Sequence, residues 1–327
     1  MKDQIIIVSW LLTRRCNLSC RYCGITRSVP SVMYENEMNT EFVIEGLKRL
    51  KKHNEDAFHL FYGGEPFLRP DLFEIIVACN DLDINYTIIT NSTSYVYPLI
   101  MELITTVPVK GLTVSIDPMP SLDAKRKSDD AFKSIPDYMK HVEDVVAEIT
   151  VDRWSIINLP KLVSDLTRIG VTSDITFLDV TKSRAYDFSN ITDKHMLATK
   201  SKDVADVLQE LMKGEYNVHM KEILLPEIFE ALPSDFDCEL VNKGVHNLTI
   251  DSDGSVRLCL RIKGRTTPEM NLLQYIGPKG ELSEYLIQNQ YQDKKDLCKG
   301  CNWTCPIMSK LILEGKGGVT ELNHGRK

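Results

Sequence analysis

Between residue 4 and about residue 180, short apolar runs rich in β-branched and aromatic residues alternate with stretches of helical periodicity. Few folds accommodate that alternation. The spacing predicts strands over 4–12, 57–62, 84–90, 111–116, 153–157 and 174–180. Helices are expected between them: Asn39 can cap one carrying Phe42, Val43, Leu47 and Leu50, and Pro70 can open another carrying Leu72, Phe73, Ile76 and Val77. Further helices are expected over 95–106, 137–149 and 160–169, the last stopped by Gly170. Cys79, late in the second helix, reads as a core residue. Six βα units with right-handed crossovers curl into a partial barrel, whose chemistry belongs on the loops at the C-terminal strand ends.

The first of those loops carries Cys16, Cys20 and Cys23 as a C-x3-C-x2-C run in TRRCNLSCRYCGI. Three thiolates on one loop can hold three irons of a [4Fe–4S] cube and leave the fourth open to bind and activate a small molecule. Structural zinc also accepts cysteine, but it wants a closed set of four ligands, and His53 and His59 follow no finger spacing. A disulfide framework fits worse, because nine cysteines is an odd number and no secretory signal precedes them.

With Tyr22 at the aromatic position, this run resembles the C-x3-C-x-aromatic-C motif of the radical S-adenosylmethionine (SAM) superfamily. The resemblance implies a partial (β/α)6 TIM-like barrel of the α/β class, with SAM chelated at the open iron. A one-electron reductant such as flavodoxin or ferredoxin would drive SAM cleavage to a 5′-deoxyadenosyl radical that abstracts hydrogen. Gly63-Gly64-Glu65-Pro66 after the second strand looks like the superfamily's GGEP motif, whose backbone binds the SAM amino group; glycines there let the backbone approach a ligand closely. Thr90 and Asn91 at the third strand end, and Ser115 and Asp117 at the fourth, match positions the family uses for the ribose and carboxylate of SAM. This chain has Asn91-Ser92-Thr93 where many relatives show Asn-Gly, and Pro118 where many show Gly after the Asp. Arg14, Arg15 and Asp179 also sit near predicted strand ends, where they can line the cavity or form structural ion pairs.

Beyond the barrel, residues 181–236 read as a connector with a helix over 199–213, apolar at Val204, Val207, Leu208 and Leu211 and stopped by Gly214. Apolar alternation on either side of Asp253-Gly254 signals a β-hairpin. Five cysteines follow the connector: Cys238, Cys259, Cys298, Cys301 and Cys305. Their spacing, C-x15-G-x4-C then C-x2-C-x3-C, resembles the auxiliary-cluster extensions called SPASM and Twitch, with five cysteines where full SPASM has seven. That implies one auxiliary [4Fe–4S] cluster on Cys238, Cys259 and two of Cys298, Cys301 and Cys305, with structural zinc as the alternative. The expected division is a core over 1–180, a helical connector over 181–236, and a small cysteine-rich extension with a β-hairpin over 237–327.

Hydrophobic residues at 43% and charged residues at 26% are ordinary for a soluble globular protein. No stretch reaches a membrane span and none looks like a signal peptide, so a cytoplasmic protein is expected, in a reducing compartment that suits exposed thiolates. A net charge of −7 provides no global attraction for polyphosphate, and basic runs such as Lys125-Arg126-Lys127 read as solvated. The expected reaction is dehydrogenation, epimerisation or isomerisation of a small polar metabolite. Maturation of a ribosomally made peptide ranks second: with fifteen residues before Cys16, leader recognition is expected to need a separate protein. Nucleobase modification ranks third.

Overall fold

The computed structural model describes residues 4–20, 23, 25, 37–119, 128–177, 202–219, 245–257 and 271–283. Its strands are β1 (Gln4–Thr13), β2 (Phe58–Gly63), β3 (Asn85–Thr90), β4 (Val109–Ile116), β5 (Val142–Val151), β6 (Thr172–Phe177), β7 (Val245–Ile250) and β8 (Val256–Arg257). Its helices are α1 (Thr40–His53), α2 (Leu72–Asp81), α3 (Tyr97–Thr106), α4 (Ser128–Tyr138), α5 (Leu159–Arg168), α6 (Lys202–Lys213) and the single turn α7 (Leu272–Tyr275). One sheet runs β6-β5-β4-β3-β2-β1-β7-β8. Every pairing is parallel except β7 with β8, which form the expected hairpin. Neighbouring strands follow chain order from β1 to β6 with helices between, which is the partial (β/α) barrel expected.

Strand register separates two faces. Phe61, Ile88, Leu112 and Val145 lie in one row and Val114 and Ala147 in the next, and all belong to the apolar core shared with Leu47, Ile76, Ile100 and Leu166 of the helices. The opposite face carries Ser9, Thr87, Thr113 and Ser115, with Thr87 and Thr113 hydrogen-bonded at 2.9 Å across β3 and β4. Apolar side chains thus dominate the helix layer, and the concave face mixes these hydroxyls with Leu11, Ile89 and Val146.

Local signals explain most elements. The Asn39 side chain accepts the Phe42 N–H at 2.9 Å to start α1, and Gly170 takes φ +83° just past α5. Cys79 is fully buried in the core, as expected. Two expectations fail together. The helix expected over 137–149 ends at Tyr138, where α4 stops: β5 occupies Val142–Val151, and the strand expected over 153–157 is a turn leading into a 3-10 segment, Ile156–Asn158. Val142, Val145, Val146 and Ile149 fall at i, i+3, i+4 and i+7, which imitates a helix stripe. In the strand Val145, Ala147, Ile149 and Val151 alternate on the helix side while Val146 adds an apolar side chain to the other face, and the β-branched content decides. The crossover helix is instead α4, whose charged sequence hides the buried Ala131, Ile135 and Tyr138. The last predicted strand begins earlier, at Thr172, and 178–180 lie outside the described residues. Among the described residues no helix is long and apolar enough to cross a membrane.

Under the α1 layer, the Trp10 indole N–H donates to His59 Nδ1 at 3.0 Å, both fully or almost fully buried. Burial, aided by Lys51, lowers the His59 pKa from 6.5 to about 3. The unfolded chain therefore binds a proton that the folded chain refuses, and stability falls as pH drops from 6.5 towards 3, by up to about 1.4 kcal/mol per pH unit. Urea unfolding of His59→Leu across that window should show a flatter pH dependence than the parent chain. Identical slopes would mean that His59 does not titrate this way.

Candidate active site

The end of β1 enters the cysteine loop through Thr13, Arg14 and Arg15, and Gly63-Gly64 fixes where that backbone runs. A Cβ on Gly64 would sit 2.1 Å from the Arg15 carbonyl oxygen, and one on Gly63 would sit 2.3 Å from that of Thr13. The Gly64 N–H donates to Thr13 O at 2.8 Å and the Glu65 N–H to Arg15 O at 2.7 Å. What the two glycines admit is therefore the strand leading to Cys16, the close approach their lack of a side chain permits.

Glu65 is completely buried. Its carboxylate accepts the Asn91 N–H at 2.8 Å, the Thr90 hydroxyl at 2.9 Å and the Phe67 N–H at 3.3 Å. Pro66 then opens a 3-10 turn, Pro66–Leu68. Asn91 carries the connection onward: its Nδ2 donates to Asn17 Oδ1 at 2.8 Å and faces Cys16 Sγ at 3.8 Å. The Leu18 N–H also points at Cys16 Sγ, at 3.4 Å, and Asn17 donates to Thr93 Oγ1 at 2.7 Å.

Cys16, Cys20 and Cys23 are not in disulfides, and the Cys23 N–H closes a turn onto Cys20 O at 3.1 Å. Burial raises the Cys16 pKa to about 11, with Glu65 and Cys23 adding to the rise and the Leu18 and Asn91 donors opposing it. Among the described residues no three His, Cys, Asp or Glu side chains form a group able to hold a metal ion. A cube differs from a mononuclear ion in taking each thiolate at its own iron. Three thiols from one loop, none in a disulfide and with N–H groups already directed at the Cys16 sulfur, are a donor set of the kind that holds three irons.

Ser115 and Asp117 lie at the neighbouring strand end, Asp117 almost fully buried. Ser115 pairs in register with Glu148, and Glu148 with Asp174, so these three share the concave row beside Asn91. The His219 ring nitrogen Nδ1 lies 2.8 Å from Asp174 Oδ1; burial opposes its charged form, yet the bond to Asp174 and the nearby Asp144 raise its pKa overall.

The structure thus joins Cys16, Gly63, Gly64, Glu65, Thr90 and Asn91 in one network, with Ser115 and Asp117 on the adjacent strand. Arg14 makes a buried ion pair with Asp251, and Arg15 lies 3.6 Å from Glu37. Tyr22, Asp179, Cys238, Cys259, Cys298, Cys301 and Cys305 lie outside the described residues. Sequence reasoning passed over Asn17, Glu37, Arg69, Thr93 and Asp251. Asn17 was findable, since it stands next to Cys16, whereas the rest act through contacts that local pattern does not encode.

A family model described as Radical SAM superfamily matches residues 10–151, the segment that contains the cysteine run, the Gly-Gly-Glu-Pro turn and the polar ends of β3 and β4. Those residues are a Radical SAM domain. The chain is 31% identical over 132 residues to an AdoMet-dependent heme synthase of Methanosarcina barkeri, covering 40% of this chain and 35% of that protein. It is 29% identical over 108 residues to an S-adenosylmethionine-dependent nucleotide dehydratase of Fibrobacter sp., covering 31% and 32%. The matches thus span about a third of these relatives' length. Among solved structures, Streptococcus suis SuiB bound to S-adenosylmethionine superposes with TM-score 0.61 at 15% identity, over 97% of this chain and 77% of SuiB. Native anSMEcpe with bound AdoMet gives 0.58 at 16%, over 92% and 87%. At such identities the two structures speak for the fold.

One departure from the family motif has a visible reason. Ser92 adopts φ +46°, the left-handed conformation that glycine takes without strain. Its hydroxyl is 2.8 Å from the Tyr138 hydroxyl, and its N–H donates to Thr90 Oγ1 at 3.1 Å, so packing holds the residue there. Ser92→Ala and Ser92→Gly both lose the hydroxyl, but only alanine keeps a Cβ at positive φ. Denaturant unfolding should place Ser92→Ala below Ser92→Gly by about 1 kcal/mol. The reverse order would refute the backbone assignment.

Proposed function

We propose that the chain is a radical SAM enzyme that takes hydrogen from a carbon of a small polar metabolite held on the concave face, leading to dehydrogenation, epimerisation or isomerisation. The observation that carries this reading is the continuous chain of hydrogen bonds from Glu65 through Asn91 to Asn17 and Cys16. It links the superfamily's three separated motifs into one unit.

In this reading Cys16, Cys20 and Cys23 hold three irons of a [4Fe–4S] cluster. Gly63, Gly64, Glu65, Pro66, Thr90, Asn91, Ser115 and Asp117, with Tyr22, form the surroundings of SAM. When bound and reduced by an external one-electron donor of the flavodoxin or ferredoxin kind, the cluster supplies a 5′-deoxyadenosyl radical from SAM. The protein's own residues bind and orient: Glu65 fixes the β3 end, Asn91 and Leu18 direct N–H groups to a sulfur, and the hydroxyls on β3 and β4 meet polar substrate groups. We further propose one auxiliary [4Fe–4S] cluster on Cys238, Cys259 and two of Cys298, Cys301 and Cys305, within a cysteine-rich extension over 237–327 that follows a core over 1–180 and a connector over 181–236. The reducing cytoplasm is the compartment that suits both clusters.

A peptide substrate is the second reading. Exposed Tyr95, Met119, Trp154 and Ile157 follow the C-terminal ends of three adjacent strands, β3, β4 and β5, and an apolar rim of that kind suits peptide side chains.

The test is anaerobic. Protein reconstituted with iron and sulfide, then given SAM and a strong reductant, should release 5′-deoxyadenosine, and Cys20→Ala should release no more than a protein-free control. Cys259→Ala should keep some cleavage and lose product formation. Stimulation by metabolite, peptide or nucleic-acid fractions chooses the substrate class. Full turnover by Cys20→Ala would sink the mechanism.

A further inference from the structure

The cysteine loop leaves the barrel at Thr13–Arg15 and returns at Glu37–Met38, and both feet are fastened to one distant turn, the first through Asp251 and Ser252 and the second through Ser252. At the outgoing foot, Arg14 donates through Nη2 to both carboxylate oxygens of Asp251, at 2.6 and 2.7 Å, across 237 positions of sequence. Its Nε donates to Ser252 Oγ at 3.3 Å. At the returning foot, the Met38 N–H donates to Ser252 O at 2.7 Å. Asp251 and Ser252 are almost fully buried, and they begin the turn between β7 and β8. The Ser252 N–H donates to Asp251 Oδ1 at 2.8 Å, and Asp251 N and O bond to Ser255 and Gly254 at 2.8 Å each, so the turn is rigid.

Two more groups bridge the feet. Glu37 accepts the Thr13 hydroxyl at 2.6 Å and the Arg14 N–H at 3.3 Å. Arg69 donates to Leu12 O and Met38 O, both at 2.6 Å. Glu37 and Arg69 lie inside the Radical SAM segment, whereas Asp251 and Ser252 lie about a hundred residues beyond its end at 151.

We propose that Asp251 is a positioning residue for the SAM site: acting through Arg14, the β7–β8 turn sets the spacing of the cysteine loop's feet and with it the geometry in which the cluster presents its open iron. Bringing the ends of a long loop together costs entropy, and a preformed turn that receives both ends meets that cost before ligand arrives. The shape of the guanidinium matters as well as its charge, since Nη2 reaches Asp251 while Nε reaches Ser252, two donors in one plane that a single ammonium nitrogen does not supply. The inference rests on the function proposed above, and its test separates the two.

The experiment compares reconstituted wild-type, Asp251→Asn, Arg14→Lys and Val256→Ala chains. The last trims a buried residue on the same hairpin that makes no clamp contact. Iron content, thermal unfolding, and SAM affinity from the change in the reduced cluster's EPR signal are read for each. Asp251→Asn and Arg14→Lys should weaken SAM binding by about tenfold while retaining cluster iron, and the double variant should be little worse than either single one. Val256→Ala should lose thermal stability without losing affinity. Affinity within twofold of wild type in both clamp variants overturns the inference, as does an equal affinity loss in Val256→Ala. If Asp251→Asn does not fold, Arg14→Lys decides alone. A wild-type chain that takes up a cluster but shows no response to SAM contradicts the proposed function instead.

Discussion

A contact between two stretches of backbone governs this site. Gly63 and Gly64 lie so close to Thr13–Arg15 that no side chain fits between them, and the peptide groups hydrogen-bond directly. That approach sets the direction in which the chain leaves β1, hence where Cys16 stands. Glu65, next in sequence, turns its carboxylate into the β3 end, and Asn91 returns from there to the sulfur. A buried carboxylate is costly unless hydrogen-bonded, and Glu65 accepts three such bonds. Replacing either glycine would move the donors around the Cys16 sulfur from the far side of a strand.

The division of the sheet into an apolar helix face and a concave face that carries a run of polar side chains gives the same loop a floor. Thr87, Thr113 and Ser115 continue through Glu148 to Asp174 and His219 by strand register. Polar side chains in register across parallel strands are affordable only where water or a polar ligand faces them. The hairpin β7–β8 adds a seventh parallel strand beside β1 and brings Asp251 to the loop from the other side.

Much of this was legible in the chain. The first four strands, the Asn39 cap and the Gly254 hairpin follow from local pattern, and the three motifs fall at the strand ends where βα logic puts them. What was not legible is what depends on partners distant in sequence. The stretch 137–149 reads as a helix because Val142, Val145, Val146 and Ile149 imitate a helix stripe, and the true crossover helix has few apolar residues. Arg14 could equally have lined the cavity until Asp251 was seen beside it. Ser92 stands where the motif favours glycine, and only the Tyr138 hydroxyl explains how a serine is held in that conformation.

Mössbauer spectroscopy on protein reconstituted with isotopically enriched iron, recorded with and without SAM, tests the central claim most directly. The account predicts a [4Fe–4S] signal in which one iron differs from its neighbours and changes again when SAM is added, because three cysteines leave one iron open to a new ligand. A signal untouched by SAM, or iron bound without cubane character, would contradict it.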